Sequence, residues 1–237
     1  MGLIRKIIKN IMPYGLLKMY LKTKPKNDYN FIYNNDPNVF DTIYKTRMWG
    51  SIESYSGGGS HISTTKIIRA LLLVLWDEYK IKTFLDVPCG DYNWMKEVPK
   101  KNIHYIGGDI VTELIEKNNI KYKSNSISFI IIDITQDDLP NVDMIFCKDC
   151  LQHLSDKNVF KALKNFKLSK SKYLLVTSYP LTLYNKDICD GDYRPLNLRL
   201  NPYNFPEPIE EIHETSKGSG MEKDKYMYLY KLEDIEL

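Results

Sequence analysis

Three aspartates stand at or near the ends of short apolar runs, a position where carboxylates bind the hydroxyl groups of nucleoside ligands. Asp86 lies in the run 83–87, and Asp109 and Asp133 directly follow two later runs. Each aspartate alone is explained equally well by helix capping or turn formation. Three in series, each ending a predicted strand, favour a ligand cleft at the carboxyl edge of a parallel sheet.

Asp109 is the strongest single assignment of the three. It stands nineteen residues beyond Gly90, close to the ~20-residue spacing at which a strand-end acid binds ribose in nucleotide folds. Asp133 and its apolar neighbour Ile134 follow the run 128–132 and are placed to bracket an adenine. These residues predict a site for an adenosine-containing ligand.

The turn after the first strand narrows the choice of ligand. A dinucleotide fingerprint uses glycines so that backbone N–H groups can approach a pyrophosphate. Here Pro88, which has no N–H, and Tyr92 stand where the outer glycines would be, and only Gly90 remains. The turn therefore favours a ligand without phosphate, such as S-adenosylmethionine. Asp91 is a good helix N-cap and predicts a helix directly after this turn.

Alternation of strand and helix patterns places these residues in an α/β fold. The helix predicted at 64–79 is apolar nearly all round, so we expect it to be buried against the sheet. The remaining predicted elements are strands at 142–147 and 173–178, a helix at 157–170, and a terminal hairpin of 209–215 and 226–232.

Four motifs in chain order carry a family resemblance: DVPCGD, YIGGDI, IIDIT and FCKDCLQHL. Together they resemble the consecutive motifs of class I S-adenosylmethionine-dependent methyltransferases. The pattern DxPCGxxxWM, preceded by WGSxESxSGxGS, resembles that of a bacterial subgroup often found with surface-polysaccharide or natural-product pathways. The resemblance covers most of the chain from about Arg47 onward. The chain departs from the family at the first turn, where the generic family pattern has more glycines.

The resemblance implies a Rossmann-like, seven-stranded, mostly parallel sheet with one antiparallel strand, helices on both faces and an N-terminal helical extension. It implies S-adenosyl-L-methionine as the cofactor and a small-molecule or sugar-linked acceptor. The residues that the resemblance and the strand-end pattern together assign to the cofactor are Trp49, Ser56, Gly57, Asp86, Pro88, Cys89, Gly90, Trp94, Asp109, Ile110, Asp133, Ile134 and Lys148.

The resemblance also divides the chain into an extension at 1–46 and a methyltransferase domain at 47–237. Within the domain, residues 47–62 are expected to form a lid, because Trp49 supplies an aromatic cover and Gly57 begins a run of hinge glycines. A flexible linker is the alternative for this serine-flanked glycine run. The aromatic, proline-rich tract 179–208 is expected to be an acceptor-binding insertion, since a loop this long in a compact domain is usually functional.

Residues 1–24 are amphipathic and basic, with apolar residues at helical spacing interrupted by Pro13 and Gly15. Packing against the sheet or a dimer interface is the favoured use of this segment. Weak peripheral contact with an anionic membrane is the alternative.

Asp149 and His153 are the best-placed catalytic candidates, because both follow the fourth strand and stand four residues apart. A helical turn would let the carboxylate orient the imidazole, which would then act as a general base toward a hydroxyl acceptor. The alternative is that Asp149 caps a helix while His153 packs or caps. Lys148 either reaches the cofactor's carboxylate or faces solvent. His213 and Glu214 are less favoured as catalytic residues.

No metal site is predicted. Cys147 and Cys150 form one close pair, and the other cysteines, Cys89 and Cys189, are scattered, whereas a zinc site needs four ligands. A thioredoxin-like redox pair would follow the first strand of a different pattern. Ordinary strand-end cysteines are the favoured interpretation.

Charge and composition limit the function classes. The net charge is +3, and the first 27 residues carry seven Lys and Arg and no acid, so the rest of the chain is slightly acidic. A nucleic-acid enzyme more often has a basic face over its whole domain, which disfavours nucleic acid as a partner. Four cysteines give no secreted disulfide framework, and no apolar stretch reaches the length of a membrane span, so we expect a cytoplasmic monomer or homodimer.

The leading functional hypothesis is methyl transfer to an oxygen of a small molecule or glycan precursor, in capsule or lipopolysaccharide biosynthesis. An RNA or protein methyltransferase is the first alternative, and a continuous basic groove would favour it. A non-catalytic or NAD-binding Rossmann module is the second alternative, against which Pro88 stands.

Overall fold

The computed structural model describes Asp36, residues 38–214 and residues 224–237 of the chain. Its α-helices are Val39–Lys45 (α1), Lys66–Glu78 (α2), Thr112–Tyr122 (α3) and Asp156–Leu168 (α4). Its strands are Thr83–Asp86 (β1), His104–Asp109 (β2), Ile127–Ile131 (β3), Met144–Cys147 (β4), Tyr173–Ser178 (β5), Glu210–His213 (β6) and Tyr226–Lys231 (β7). Short 3-10 turns lie at Gly58–Ser60, Met95–Glu97, Leu151–His153 and Leu232–Asp234.

All seven strands pair in one sheet, in the order β3-β2-β1-β4-β5-β7-β6. The strands β1 to β5 are parallel to one another, and β7 runs antiparallel to both of its neighbours, β5 and β6. This confirms the predicted Rossmann-like sheet with one antiparallel strand. Most of the predicted N-terminal extension lies outside the described residues, which include only its last part and α1.

Alternation along the strands builds a separate core on each face of the sheet. Phe84, Met144 and Phe146 pack with the apolar face of α2 and with Ile115 of α3. The adjacent residues, Leu85, Ile145 and Cys147, pack on the other face with the apolar side of α4. Helices therefore cover both faces, which leaves the carboxyl edge of the parallel strands as the open end of the layers.

Helix α2 differs from the expectation of burial all round. Ile68, Leu72 and Trp76 are buried, but Leu73 is 41% exposed and Val74 is 55% exposed. The helix lies at the outside of the layered fold, so only the face toward the sheet is covered.

The helix predicted to start at Asp91 does not form. Only the 3-10 turn Met95–Glu97 stands between β1 and β2. The Asp91 carboxylate instead accepts hydrogen bonds from the Ser54 hydroxyl at 3.0 Å and from the Tyr55 N–H at 2.8 Å. Asp91 thus ties the predicted lid to the end of β1, a long-range role that local sequence patterns do not report.

The tract 179–208 has no helix or strand, as its prolines predicted, yet it is packed into the fold. Leu196, Leu198, Tyr203 and Phe205 are buried in the core on the α4 side of the sheet. None of the helices in the described ranges has the length and apolar character needed to cross a bilayer.

Candidate active site

A cleft of about 1250 Å³ opens at the carboxyl ends of the parallel strands. Asp86, Asp109, Asp133 and Lys148, which end or follow β1 to β4, all line it. Sites for single small ligands typically measure ~300–1,000 Å³. A cleft of this size therefore has room for a cofactor and an acceptor side by side.

The cleft brings together nearly all of the residues that the sequence assigned to a site. Those that line it are Trp49, Ser56, Asp86, Pro88, Cys89, Gly90, Trp94, Asp109, Ile110, Asp133, Ile134, Lys148, Asp149 and His153. Gly57 is the exception among the assigned residues. It has a φ of 88°, and a Cβ there would lie 3.0 Å from the Trp49 carbonyl oxygen, so a glycine is needed for the turn.

Gly90 turns the chain at the centre of the cleft, with a φ of 54°. A Cβ on Gly90 would lie 2.2 Å from the Ser56 hydroxyl, so the glycine lets the lid approach the turn closely. The Gly90 N–H donates to Asp109 Oδ2 at 3.0 Å, and the Cys89 N–H donates to the Gly108 carbonyl at 2.8 Å. The amides of this turn are thus committed within the protein.

Asp109 is a buried carboxylate at the end of β2. Besides the Gly90 N–H, it accepts the Val111 N–H at 3.0 Å. Burial raises the pKa of Asp109 to about 6, against the lowering effect of these backbone donors. Each carboxylate oxygen has a second lone pair, so the group is still able to accept hydrogen bonds from a ligand in the cleft.

Asp86 lies on the floor of the cleft at the end of β1. The Tyr105 hydroxyl donates to Asp86 Oδ2 at 2.5 Å. Burial raises the pKa of Asp86 to about 7, so its charge changes near neutral pH. A cationic ligand group would favour the charged form.

Asp133 forms the local turn that was its alternative interpretation. Its Oδ1 accepts the Thr135 N–H and hydroxyl, both at 2.8 Å, and its Oδ2 accepts from the Gln136 amide at 2.6 Å. The turn nevertheless lies at the cleft, where Thr135 and Gln136 join Ile134 in the lining. Thr135 closes the motif IIDIT and Gln136 directly follows it, but neither polar residue was assigned to the site from the sequence.

The segment 47–62 covers one side of the cleft and is fixed to it by side-chain contacts. In addition to the Asp91 bonds, Asn93 donates its amide to Glu53 at 2.8 Å and to the Ser60 carbonyl at 3.0 Å. The indole of Trp49 stacks on His153 with ring centroids 4.4 Å apart. Neither Asp91 nor Asn93 was expected to hold this segment.

Lys148 does not face solvent and belongs to a buried cluster of charges. Its ammonium donates to Asp149 Oδ2 at 2.5 Å, and it contacts Glu214 Oε1 at 2.8 Å and the Gly59 carbonyl at 3.2 Å. Lys225 contacts the same two carboxylates, at 2.5 and 3.3 Å. Three acceptors use the three donors of Lys148. The expected bond from Lys148 to a cofactor carboxylate stays a prediction.

Asp149 does not pair with His153 through a helical turn. Asp149 is in the left-handed conformation, with a φ of 55°, and the 3-10 turn begins only at Leu151. Burial opposes ionisation of Asp149, but Lys148 and Lys225 outweigh it and hold the pKa of this carboxyl well below its usual range. A carboxylate that binds its proton so weakly is a poor general base.

His153 is the better base of the two. Its Nδ1 lies 2.7 Å from the carbonyl oxygen of Asp192. A carbonyl only accepts, so Nδ1 carries the proton and Nε2 holds a free lone pair in the neutral ring. Burial lowers the pKa of His153, which keeps the ring neutral at physiological pH. The ring also packs between Trp49 and Tyr193, so the packing role expected as the alternative is present too.

The insertion supplies the far wall of the cleft through Tyr179, Cys189 and Tyr193, which the sequence did not single out. The signal available for them was the aromatic composition of the tract. Of the less favoured candidates, Glu214 belongs to the charge cluster, and the His213 ring lies 4.7 Å from the ring of Tyr226.

The described ranges contain no group of three or more His, Cys, Asp or Glu side chains suited to a metal ion. All four cysteines are free thiols. Cys147 is fully buried at the end of β4, and hydrogen bonding with Cys150 together with burial raises the pKa of its thiol well above the ordinary value.

Comparisons with known proteins agree with this architecture. Residues 84–168 match the family model of the methyltransferase domain. A phosphoethanolamine N-methyltransferase of Zea mays is 27% identical over 145 residues, which cover 59% of this chain and 28% of the maize protein. The chain therefore matches less than a third of the length of this relative.

Two solved structures share the fold. The N-methyltransferase NodS from Bradyrhizobium japonicum WM9, in complex with S-adenosyl-L-homocysteine, aligns with a TM-score of 0.59 at 12% identity, over 79% of this chain and 97% of that one. Human N-acetylserotonin methyltransferase in complex with S-adenosylmethionine aligns with a TM-score of 0.53 at 13% identity, over 92% of this chain and 66% of that one. The fold is that of the class I S-adenosylmethionine-dependent methyltransferases, as the sequence motifs predicted.

Proposed function

We propose that this chain binds S-adenosylmethionine in the cleft and transfers its methyl group to a small acceptor. The observation that carries the proposal is the turn at the end of β1. Pro88 has no N–H, and the N–H groups of Cys89 and Gly90 are bonded to Gly108 and Asp109. A pyrophosphate finds no donors at these positions, whereas a ligand with a ribose and no phosphate loses nothing there.

The residues present fit such a ligand. Asp109 has carboxylate lone pairs for the two ribose hydroxyls, and Ile110 and Ile134 offer apolar surface beside it for the adenine. Asp86, whose ionised form a cationic group favours, is the counter-ion for the cationic amino-acid end. When bound, S-adenosylmethionine supplies an activated methyl group, and the chain contributes alignment and exclusion of water.

The acceptor site is the half of the cleft between the lid and the insertion. His153 lies there with Nε2 ready to accept a proton from a hydroxyl group, which supports O-methylation of a small molecule or glycan precursor. The resemblance to a subgroup associated with surface polysaccharides supports, as part of this proposal, an acceptor from capsule or lipopolysaccharide biosynthesis. The similarity to a phosphoethanolamine N-methyltransferase makes an amine acceptor the second candidate.

Titration calorimetry tests the cofactor first. We expect the purified protein to bind S-adenosylmethionine at micromolar concentration and not to bind NADH. Asp109→Ala should weaken the affinity for S-adenosylmethionine by at least about tenfold, because a hydrogen bond to a charged acceptor is worth ~1.5–3 kcal/mol. The exposed Asp138→Ala is the matched control, and Asp109→Asn keeps an acceptor for one of the two backbone donors if the alanine variant unfolds. Binding of NADH alone to the folded protein would refute the proposal.

Methyl transfer is then measured with isotopically labelled cofactor against two panels, one of sugar and aromatic hydroxyls and one of primary amines. Label in the hydroxyl panel supports O-methylation. Label only in the amine panel would replace it with the second candidate.

A further inference from the structure

Residues 187–194 of the insertion, here called the anchor segment, run beside the residues that carry the proposed base. The Gly191 N–H donates to the His153 carbonyl at 2.8 Å, and the Arg194 N–H donates to the Gln152 carbonyl at 3.1 Å. Between these two bonds, the Asp192 carbonyl accepts from His153 Nδ1. The imidazole is therefore held by backbone whose position the anchor segment sets.

Arg194 fixes this segment from beneath. Its side chain is only 4% exposed. One guanidinium nitrogen donates to the Leu154 carbonyl, and another donates to Asp156 Oδ1 at 2.8 Å and to the Tyr203 hydroxyl at 3.1 Å. A single rigid fork thus joins the anchor segment to the residue after His153 and to the first turn of α4.

Two carboxylates of the anchor segment complete the attachment. Asp190 accepts the Ser155 N–H at 2.7 Å, and Asp187 accepts the Asp156 N–H at 2.8 Å. Both bonds satisfy otherwise orphaned donors at the start of α4. They hold the helix end and leave the orientation of the His153 ring to the Asp192 carbonyl.

We propose that Arg194 is a positioning residue that fixes His153 as the Nδ1–H tautomer by holding the Asp192 carbonyl against the ring. This rests on the proposed function for the use of His153. In the proposed methyl transfer, His153 is the general base. The acceptor oxygen forms a bond to the methyl carbon while the carbon–sulfur bond breaks and its electron pair stays on sulfur. The hydroxyl proton moves to His153 Nε2, which only the Nδ1–H tautomer leaves free to take it.

The charged groups around His153 do not impose the same tautomer by themselves. Asp149 and Asp192 favour the protonated ring, and Lys225 disfavours it. These are effects on total charge and do not select one ring nitrogen over the other. A short hydrogen bond to one ring nitrogen does select between them. The tautomer is therefore decided by the Asp192 carbonyl and by the anchor segment that holds it.

Long-range proton–nitrogen NMR of protein labelled in the histidine rings tests this without an acceptor substrate. Assignment comes from the loss of one of four ring systems in His153→Gln, since the chain has four histidines. We expect the Nδ1–H tautomer in the wild type. Arg194→Lys keeps the charge but loses the guanidinium fork. In this variant the ratio of the Nδ1–H to the Nε2–H tautomer should fall by roughly fivefold, as expected for one lost hydrogen bond.

Arg199→Lys is the matched control, because Arg199 lies in the same insertion but pairs with Glu207 and Glu211 instead of the residues around His153. It should leave the tautomer unchanged. An Nε2–H tautomer in the wild type would overturn the proposal even if Arg194→Lys fails to fold, and so would an unchanged ratio in a folded Arg194→Lys. Affinity for S-adenosylmethionine, measured on the same samples, reports separately on the proposed function.

Discussion

The two halves of the cleft are built in different ways. The cofactor half rests on the ends of β1, β2 and β3, where Asp86 and Asp109 project from adjacent strands whose spacing the sheet fixes. The half proposed for the acceptor is formed by the segment 47–62, predicted as a lid, and by the insertion 179–208, and neither contains a strand. There, side chains such as Asp91 and Arg194 hold loops in place through bonds to backbone groups far away in the chain.

The two halves differ in what holds their residues in place. A residue at the end of a parallel strand is placed by the ladder hydrogen bonds of the whole sheet. A residue in a loop is placed only by the few bonds that tie that loop down. We therefore expect substitutions of tethering residues to loosen the loops and to weaken cofactor binding less than substitutions in the strand-end turn, which lies against the cofactor half itself.

The largest effect is expected at Lys148, where the two halves meet. Lys148→Met would leave Asp149 and Glu214 buried with one cation fewer, and breaking a buried ion pair typically costs 3–5 kcal/mol of unfolding free energy. Lys172→Met is the control, because that lysine is 69% exposed and pairs with Asp143 at the surface, where a pair is worth ~0–1 kcal/mol. Urea unfolding measures both. Equal losses of unfolding free energy in the two variants would show that the buried charge cluster does not stabilise the fold.

Gly90→Ala should affect the cofactor half most. The new Cβ would lie 2.2 Å from the Ser56 hydroxyl and would force a residue with positive φ to carry a side chain. We expect S-adenosylmethionine affinity to fall about a hundredfold, equivalent to ~3 kcal/mol. Gly58→Ala, whose Cβ would meet nothing within 4 Å, should bind normally. If Gly90→Ala also binds normally, the close approach of lid and turn is not needed for binding.

Asp91→Ala should loosen the lid while leaving the strand ends intact. It removes the acceptor for the Ser54 hydroxyl and the Tyr55 N–H. We expect about tenfold weaker cofactor binding, ~1.4 kcal/mol, and faster proteolysis within residues 47–62. The exposed Glu97→Ala serves as the control. Unchanged proteolysis would mean that other contacts are sufficient to hold this segment.

A dependence on pH also arises from the cofactor half. Burial raises the pKa of Asp86 to about 7 and of Asp109 to about 6, whereas an unfolded aspartate titrates near 4. Between these values the folded state holds protons that the unfolded state has lost. These two groups therefore reduce the stability of the ligand-free protein as pH rises from about 4 to 7.

Cofactor affinity should change in the opposite direction, because a cationic ligand prefers the ionised carboxylates that form as pH rises. Unfolding and calorimetric titrations at about pH 5.5 and 8 measure the two trends. Asp86→Asn should flatten most of the stability change. Stability and affinity that rise together with pH in the wild type would contradict this account.

Much of the fold and of the cofactor half was predictable from the sequence. Apolar runs ending in Asp86, Asp109 and Asp133 specified parallel strands with acids at one edge, and the sheet brings the ends of its strands together whatever the intervening loops do. The predicted bounds of β5, 173–178, agree with the structure, and the run 104–108 that precedes Asp109 corresponds to β2 without its last residue. Pro88 in the turn also indicated a ligand without pyrophosphate before any geometry was known.

The acceptor half was decided only by tertiary structure. Asp91 reads locally as a helix cap, yet its carboxylate is used 37 residues away by Ser54. Asp149 and His153 read as a helical pair, yet a positive φ at Asp149 turns the two side chains to different partners, Lys225 and the Asp192 carbonyl. The physical reason is that strand periodicity and turn chemistry are local properties of the sequence. The partner of a buried charge is chosen instead by whichever distant segment the folded chain brings within hydrogen-bond distance.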